Sequence, residues 1–327
     1  MVEILVLGEI VSGKLAPATG EMITAAKGLQ GEIGVALLGD GLDDLAGQAI
    51  ALGADKVFLA QDPLLAQPIA VDAHVAAFEQ MCRQTGPKIV MVGRTELGKE
   101  LGPRVAFRLG AGLAQDCVGV NLDDATGRVV AVRPVYGGNA LATVTFAESG
   151  PQFVVIRGKV YDEPVPDPSR TGEVVPIDLE LDPSVVRIRR VETVRSESQG
   201  VRLEDASVVV TGGRGLGGPE GFEVLEELAV LLGGAVGASR PACDAGWVDH
   251  GYQVGLTGKT VTPDLYIAVG VSGASQHMAG CSGAKNIVAI NRDAEANMFR
   301  EAAYGVAGDW QKVLPAFIEA VRDLVKS

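Results

Sequence analysis

Leu265–Asn291 reads LYIAVGVSGASQHMAGCSGAKNIVAIN, and the reading of this stretch decides the fold. Leu265 to Val271 is an unbroken apolar run with the character of a buried strand. A turn of small residues follows, carrying Ser272, Gln276 and His277, and a second strand is expected from Asn286 to Ile290. Strand, glycine turn, short helix, strand is the grammar of a parallel nucleotide-binding sheet. Such sheets hold ligands just past the C-terminal ends of their strands, which is where this turn places its polar groups.

Moving outward, Ser207–Val210 reads as a strand and runs into Thr211-Gly212-Gly213-Arg214-Gly215-Leu216-Gly217-Gly218. A helix is expected next, with Phe222, Leu225, Leu228, Ala229 and Leu232 on one face and Glu223, Glu226 and Glu227 off it. Ala235–Ala238 leads into Ser239-Arg240, and a loop then carries Gln253-Val254-Gly255-Leu256-Thr257-Gly258-Lys259. A last helix is expected from about Gln311 to Val325. Arg214, Ser239, Arg240, Ser272, Gln276, His277, Asn291 and Asp309 thus nearly all fall at or beyond a strand's C-terminal end. In a parallel sheet those ends share one edge, so the residues converge on one crevice.

Residues 1–110 repeat the pattern. Strands are expected at Val2–Leu7, Ile33–Leu38, Lys56–Leu59 and Lys88–Val92, with helices near Pro17–Leu29, Leu42–Leu52, Ile69–Thr85 and Leu97–Leu109. The loops Gly39-Asp40-Gly41 and Gly93-Arg94-Thr95 are either turns and helix caps or ligand contacts. After Gly127 come β-rich runs, Arg128–Tyr136, Ala140–Phe146 and Gln152–Ile156. The Gly137-Gly138-Asn139 turn suggests an antiparallel hairpin between the first two. Pro164, Pro166, Pro168, Pro176 and Pro183 then interrupt ladders, and a charged run spans Arg187–Gln199. The expected architecture is α/β in two domains, 1–199 and 200–327.

Composition narrows the function. The 327 residues carry a formal net charge of −13, which argues against a nucleic-acid or anionic-membrane surface. Hydrophobic content of 47% with only 5% aromatic implies cores of Val, Leu, Ile and Ala. Cys82, Cys117, Cys243 and Cys281 form no Cys-x-x-Cys pair, and the three histidines have no metal-ligand spacing, so no metal site is expected. The N-terminus opens as a strand with Glu3 where a signal peptide wants positive charge. The apolar run Leu228 to Ala238 is too short for a transmembrane segment. A reduced, cytoplasmic setting is expected.

Gly213-x-Gly215-x-x-Gly218 matches the dinucleotide fingerprint. The acidic residue expected about 20 positions later is missing, and Ser239-Arg240 stands there instead. Either the site is NADP-type or the glycines serve only a tight turn. Arg240, between Ser239 and Pro241, is either a ligand contact or a surface charge. His74 and His250 read as structural; His277 stands apart because it closes the turn after a buried strand. No nucleophile elbow and no carboxylate pair is present, so the site is rich in donors and poor in bond-breaking groups. That balance suits holding and tuning a cofactor.

The run LYIAVGVSGASQHMAGCSGAKNIVAIN resembles the alpha-subunit signature of electron transfer flavoproteins. The similarity extends through VVVTGGRGLG (Val208–Gly217), AVGASRPACDAGWV (Ala235–Val248), QVGLTGK (Gln253–Lys259), NRDAEANMF (Asn291–Phe299) and YGVAGD (Tyr304–Asp309). The first domain matches more loosely, mainly in its opening and the Gly93-Arg94-Thr95 block. The resemblance implies a nucleotide-hydrolase-like N-terminal sheet with an added β hairpin and a C-terminal doubly wound domain holding non-covalent FAD. It also implies a heterodimer with a beta subunit resting against the first domain. Electrons would come from flavin dehydrogenases such as acyl-CoA dehydrogenases, and the chain would be an electron carrier rather than a stand-alone enzyme. A place in a bifurcating complex is compatible with it, the deciding second nucleotide site lying largely in the beta subunit. By motif position Arg214, Ser239, Arg240, Val254, Gly255, Leu256, Thr257, Ser272, Gly273, Ala274, Ser275, Gln276 and His277 would contact the flavin. Asn291 and Asp309, with Trp310 beside it, would hold the adenosine end. Arg240 would favour reduced, anionic flavin, Thr257 would donate to flavin N5, and His277 would donate toward the N1/O2 edge. Leu256 stands where many members have glutamine and Ser275 where they have an aliphatic residue, and both bear on the potential rather than on binding. The competing expectations are an NADP-dependent oxidoreductase and a nucleotide-binding interaction protein that never cycles redox.

Overall fold

The computed structural model describes residues 2–11, 13–66, 71–138, 140–147, 150–188 and 201–326. Two compact units are present, Met1–Val135 with Leu141–Val194, and Tyr136–Ala140 with Arg195–Ser327. The boundary expected near Gln199 lies outside the described residues, as do Asn139 of the expected turn and Ile69 at an expected helix start.

In the first unit, strands and helices alternate as the apolar pattern requires: β1 (Ile4–Gly8), α1 (Pro17–Lys27), β2 (Ile33–Gly39), α2 (Asp43–Leu52), β3 (Lys56–Gln61), α3 (Val71–Thr85), β4 (Ile89–Gly93) and α4 (Gly98–Arg108). The later strands are β5 (Leu113–Cys117), β6 (Gly119–Asp123), β7 (Arg128–Val135), β8 (Ala140–Thr145), β9 (Gln152–Ile156) and β10 (Glu173–Pro176). A seven-stranded sheet runs β10-β3-β2-β1-β4-β9-β5, with all its pairs parallel. Every residue of β1, β2, β4 and β9 is buried, because both faces of the sheet are covered. Ile4 and Val6 pack with Met22, Ile23 and Ala49 from α1 and α2, while Leu5 and Leu7 pack with Phe78 and Leu101 from α3 and α4.

Gln152–Ile156, expected as a β-rich run after the hairpin, returns between β4 and β5 as an interior parallel strand. Tyr136 is not the end of a strand: it starts a 3-10 turn at φ 53°. The proline-rich segment still pairs, since Glu173–Pro176 lies parallel to β3 at the sheet edge, with Pro176 in the last position, where a missing N–H is tolerated. β6, β7 and β8 form a separate three-stranded sheet in which β6 and β7 are antiparallel.

The two loops of ambiguous role in this unit have structural partners. Gln61 Oε1 accepts from the Gly41 and Leu42 N–H groups. Thr95 Oγ1 accepts from Gly98 N at 2.9 Å, capping the start of α4, and lies 2.7 Å from both carboxylate oxygens of the buried Glu9.

The second unit contains β11 (Val208–Gly212), α5 (Glu220–Leu231), β12 (Ala235–Ala238), α6 (Arg240–Asp244), β13 (Leu265–Val269), α7 (Ser275–Cys281), β14 (Asn286–Asn291), α8 (Met298–Glu301), β15 (Tyr304–Ala307) and α9 (Trp310–Lys326). Its sheet runs β12-β11-β13-β14-β15, again all parallel. One face packs Val210, Ile267 and Val269 against Leu225 and Leu228 of α5 and Leu314 and Ile318 of α9. The other packs Val209, Tyr266 and Ala268 against Met278 and Cys281 of α7 and Met298 of α8. Helices on both faces make the sheet doubly wound. From β11 the chain proceeds outward to β12, then returns to place β13 on the other side. The order therefore reverses between β11 and β13, which is where such sheets open a crevice.

Candidate functional site

The loops leaving β11 and β13 cross at contact distance. Gly213 N donates to Val269 O and Gly215 N to Gly270 O, both at 2.9 Å. A Cβ on Gly213 would stand 2.2 Å from Gly270 O, and Gly270 itself has φ +64°. No side chain fits at this crossing, so the first two glycines of the fingerprint serve loop-on-loop packing. Arg214–Leu216 forms only a 3-10 turn, and α5 begins later, at Glu220. A pyrophosphate at the mouth of a helix, as a dinucleotide fingerprint would place it, is not what these glycines build.

A cavity of about 660 Å³ opens beside the crossing. Arg214 and Gly215 line it from the loop after β11, and Ser239, Arg240 and Pro241 from the end of β12. Gln253, Val254, Gly255, Leu256 and Thr257 come from the long loop, and Gly270, Val271, Ser272, Ala274, Gln276 and His277 from β13 to α7. Asn291, Arg292, Asp293 and Ala296 follow β14. A second cavity of about 130 Å³ shares Gly215, Gly270, Asn291 and Arg292 and adds Asp309 and Trp310. The crevice inferred from strand ends is therefore present, and most of the expected residues meet there.

Gly273 and Ser275 line neither cavity. Gly273 lies under α8, where a Cβ would be 2.2 Å from Met298 N, and Ser275 is exposed at the start of α7. Gln253, Arg292 and Asp293 line the larger cavity without having been singled out. The strand-end rule that identifies Asn291 extends to Arg292 and Asp293, and Gln253 heads the glycine loop.

The glycine loop is held against α7 by backbone. Leu256 N donates to Gln276 O at 2.7 Å, Gly255 N to Lys259 O at 3.1 Å and Val254 N to Ala238 O at 2.9 Å. Those three N–H groups are already paired, as are the Gln253 and Gly255 carbonyls, which accept from Lys259 N and Gly258 N, so the loop turns the exposed Leu256 and Thr257 side chains to the cavity. Thr257 Oγ1 accepts from Gln253 Nε2 at 2.9 Å, and Gln253 Oε1 lies 3.2 Å from His250 Nδ1. With an acceptor position filled, the Thr257 proton is left to donate toward the cavity.

Three arginines and one carboxylate, Asp293, are among the lining residues of an otherwise acidic chain. Arg240 is the first residue of α6 rather than part of a loop; its side chain is 64% exposed, and Nε is 3.2 Å from Asp244 Oδ2. Asn291 braces two strand-end loops, donating to Val271 O and accepting from Asp293 N, both at 3.0 Å. Asp309 accepts from Gln311 N at 3.1 Å.

Among the described residues, two buried polar atoms on this wall have no hydrogen-bond partner, Ser239 Oγ and His277 Nδ1. Ser239 occupies the N-cap position of α6 but makes no side-chain cap. His277 is 7% exposed, and its Nε2 lies 2.8 Å from Tyr266 Oη. Burial pushes the His277 pKa down to about 4, against a small opposing pull from the Val254 backbone, so the ring is neutral near pH 7. Among the described residues, no group of three or more His, Cys, Asp or Glu could hold a metal ion, and no helix is long and apolar enough to cross a membrane.

Comparison with known proteins gives consistent matches. The electron transfer flavoprotein domain model matches residues 4–182, and the electron transfer flavoprotein FAD-binding domain model matches residues 202–282. An electron transfer flavoprotein subunit alpha of Bacillus subtilis is 42% identical over 326 residues, covering 98% of both chains. The protein of that name from Thermoanaerobacterium thermosaccharolyticum is 38% identical over 326 residues, again covering 98% of each. A lactate dehydrogenase (NAD(+),ferredoxin) subunit LctC of Acetobacterium woodii is 33% identical over 315 residues, covering 95% of this chain and 75% of that one.

Proposed function

This chain belongs to the electron transfer flavoprotein alpha-subunit family, and from that premise we propose that the cavity at the β11/β13 crossing is the seat of its FAD. The chain binds FAD and transfers electrons. The observation that carries the placement is the pair of orphaned polar atoms, Ser239 Oγ and His277 Nδ1, on the wall of one cavity. Buried polar groups are nearly always paired, and leaving one unpaired costs about 1–3 kcal/mol. A ligand presenting hydrogen-bonding edges resolves both.

The remaining features fit the same group. A volume of about 660 Å³ lies in the roughly 300–1,000 Å³ range of small-ligand sites. Arg214, Arg240 and Arg292 match the negative charge of a pyrophosphate or of a reduced ring. Bound FAD supplies one- and two-electron redox chemistry. The chain supplies the surroundings. Arg240 brings positive charge to the cavity rim, Thr257 offers a directed proton and neutral His277 offers a second. Ser239 supplies a hydroxyl from the end of β12. Asn291, Asp309 and Trp310 are assigned to the adenosine end, because they border the smaller cavity. The NADP-dependent and non-redox readings are not favoured: the fingerprint glycines pack loops together, and the family is a redox one.

The partner expected for residues 1–199 is a beta subunit, in a cytoplasmic heterodimer fed by flavin dehydrogenases such as acyl-CoA dehydrogenases. The relatives' designation as alpha subunits supports a multi-subunit carrier. Co-expression with the beta subunit and a count of flavins released on denaturation tests this reading. One FAD per heterodimer supports simple carriage through this site. Two indicate a bifurcating complex that also meets a pyridine nucleotide, in line with the name of the Acetobacterium relative. A folded complex with none overturns the proposal.

A further inference from the structure

Tyr266 is the second residue of β13 and has no exposed surface, on the face of the sheet that α7 covers. Its ring is 6.2 Å from that of His277 and tilted by 54°, so the two side chains meet through Oη and Nε2 rather than by stacking. Burial raises the Tyr266 pKa well above its ordinary value, and the phenol is therefore a neutral group with one proton to donate. Three side chains surround it: the His277 imidazole, Thr211 of β11, whose Oγ1 makes no hydrogen bond among the described residues, and Cys281 from the next turn of α7. Imidazole nitrogen is the strongest acceptor of the three, and the 2.8 Å separation is that of a well-formed bond.

A neutral imidazole carries one proton, and the bond made by one nitrogen decides which nitrogen holds it. With Nε2 accepting from Tyr266, the proton resides on Nδ1, the buried nitrogen that makes no hydrogen bond among the described residues, although the Val254 backbone stands near enough to favour a proton on the ring. We propose that Tyr266 is a positioning residue that locks His277 into the neutral Nδ1–H form, so that His277 meets the flavin as a hydrogen-bond donor of fixed direction and not as a titrating cation. The inference rests on the FAD reading above and extends it to a residue that does not line the cavity.

The surroundings of the ring agree. Tyr266 faces it from β13 and the Val254 backbone from the glycine loop; Cys281, one turn on, donates to the His277 carbonyl, Thr211 acts on Tyr266, and Glu301 of α8 acts on Cys281. The Cys281 thiol is itself pushed up to about 12 by burial, so it is neutral. Among the described residues no carboxylate acts on the imidazole, and an imidazolium there would be buried without a counter-charge from them.

The test is the histidine ¹⁵N spectrum of the flavin-loaded complex with its beta subunit, recorded from pH 5.5 to 9. His277→Asn identifies the His277 signals by their loss. The wild type is expected to show protonated Nδ1 and unprotonated Nε2 across the whole range. Tyr266→Phe keeps the ring and removes the hydroxyl; it is expected to populate the Nε2–H form and to weaken FAD binding by about tenfold. An Nε2–H or imidazolium signature in the wild type overturns the proposal without need of any variant. Tyr266→Phe with an unchanged Nδ1–H signature and unchanged FAD affinity overturns it as well. A folded wild-type complex that carries no flavin refutes the FAD reading itself, an outcome that the tautomer measurement cannot mimic.

Discussion

Ser239→Ala should stabilise the flavin-free protein while weakening its hold on FAD, and the two effects come from one atom. Ser239 is 6% exposed, and its Oγ is buried with no partner among the described residues. An alanine at an N-cap ordinarily costs about 0.5–2 kcal/mol, but Ser239 makes no cap bond, so there is none to lose. Its backbone is unaffected: Ser239 N donates to Gly212 O, and Ser239 O accepts from Ala242 N. Removing the unpaired hydroxyl relieves a desolvation cost of about 1–3 kcal/mol, and the lower end is appropriate for a group beside an open cavity. In the loaded protein the substitution instead removes a hydrogen bond, worth about 1 kcal/mol net. The two effects add in the binding equilibrium to about 2 kcal/mol, or roughly a 30-fold rise in the FAD dissociation constant. Denaturant unfolding of the flavin-stripped heterodimer reads the first effect, and titration with FAD followed by flavin fluorescence reads the second. A variant that is less stable without flavin, yet binds FAD like the wild type, would show that the hydroxyl serves the fold and would refute the reasoning.

Three further predictions concern charge and backbone. Arg240→Ala should weaken FAD binding about fivefold and lower the one-electron flavin potential by about 40 mV, taking a mostly exposed charge within about 4 Å of the bound flavin to be worth about 1 kcal/mol; equilibrium dye titration checks it, and an unmoved potential counts against Arg240 acting on the flavin. Glu9 is held with a pKa raised to about 7, chiefly by burial and despite the Thr95 hydroxyl. The folded state then binds the proton more tightly than the unfolded one, so stability is full below about pH 4.5 and falls as pH rises to 7, by about 3 kcal/mol. Glu9→Gln should flatten that slope and leave the variant the more stable at pH 8; parallel denaturation curves from pH 5 to 8 for both proteins would count against it. Gly255→Ala should destabilise the second unit by about 1–3 kcal/mol, since φ is +147° and a Cβ would sit 2.9 Å from Gln276 O. An unchanged unfolding midpoint would mean the loop relaxes freely.

The central strands were legible because parallel strands buried on both faces must be continuously apolar, as ILVLG in β1, IVMVG in β4 and LYIAV in β13 are. The edges were not. β5 reads LAQDC, with Asp116 at φ 61°, and β15 reads YGVA with all four residues exposed, so neither shows an apolar run or an alternation. Site residues followed from one rule, that strand C-termini share an edge, and Arg214, Ser239, Arg240, His277 and Asn291 do meet there. The rule does not say which way a residue turns after the strand ends. Gly273 packs beneath α8, Ser275 faces solvent, and Arg292 and Asp293, one and two positions past Asn291, line the cavity. Nor could spacing alone show that Tyr266, eleven residues before His277, occupies its Nε2.

The most direct test of the account is the crystallographic position of the flavin in the FAD-loaded heterodimer. The account predicts difference density for the isoalloxazine in the cavity bounded by Ser239, Arg240, Thr257 and His277, with density continuing toward Asn291 and Asp309. Flavin density elsewhere on the chain, with this cavity holding only solvent, would contradict it.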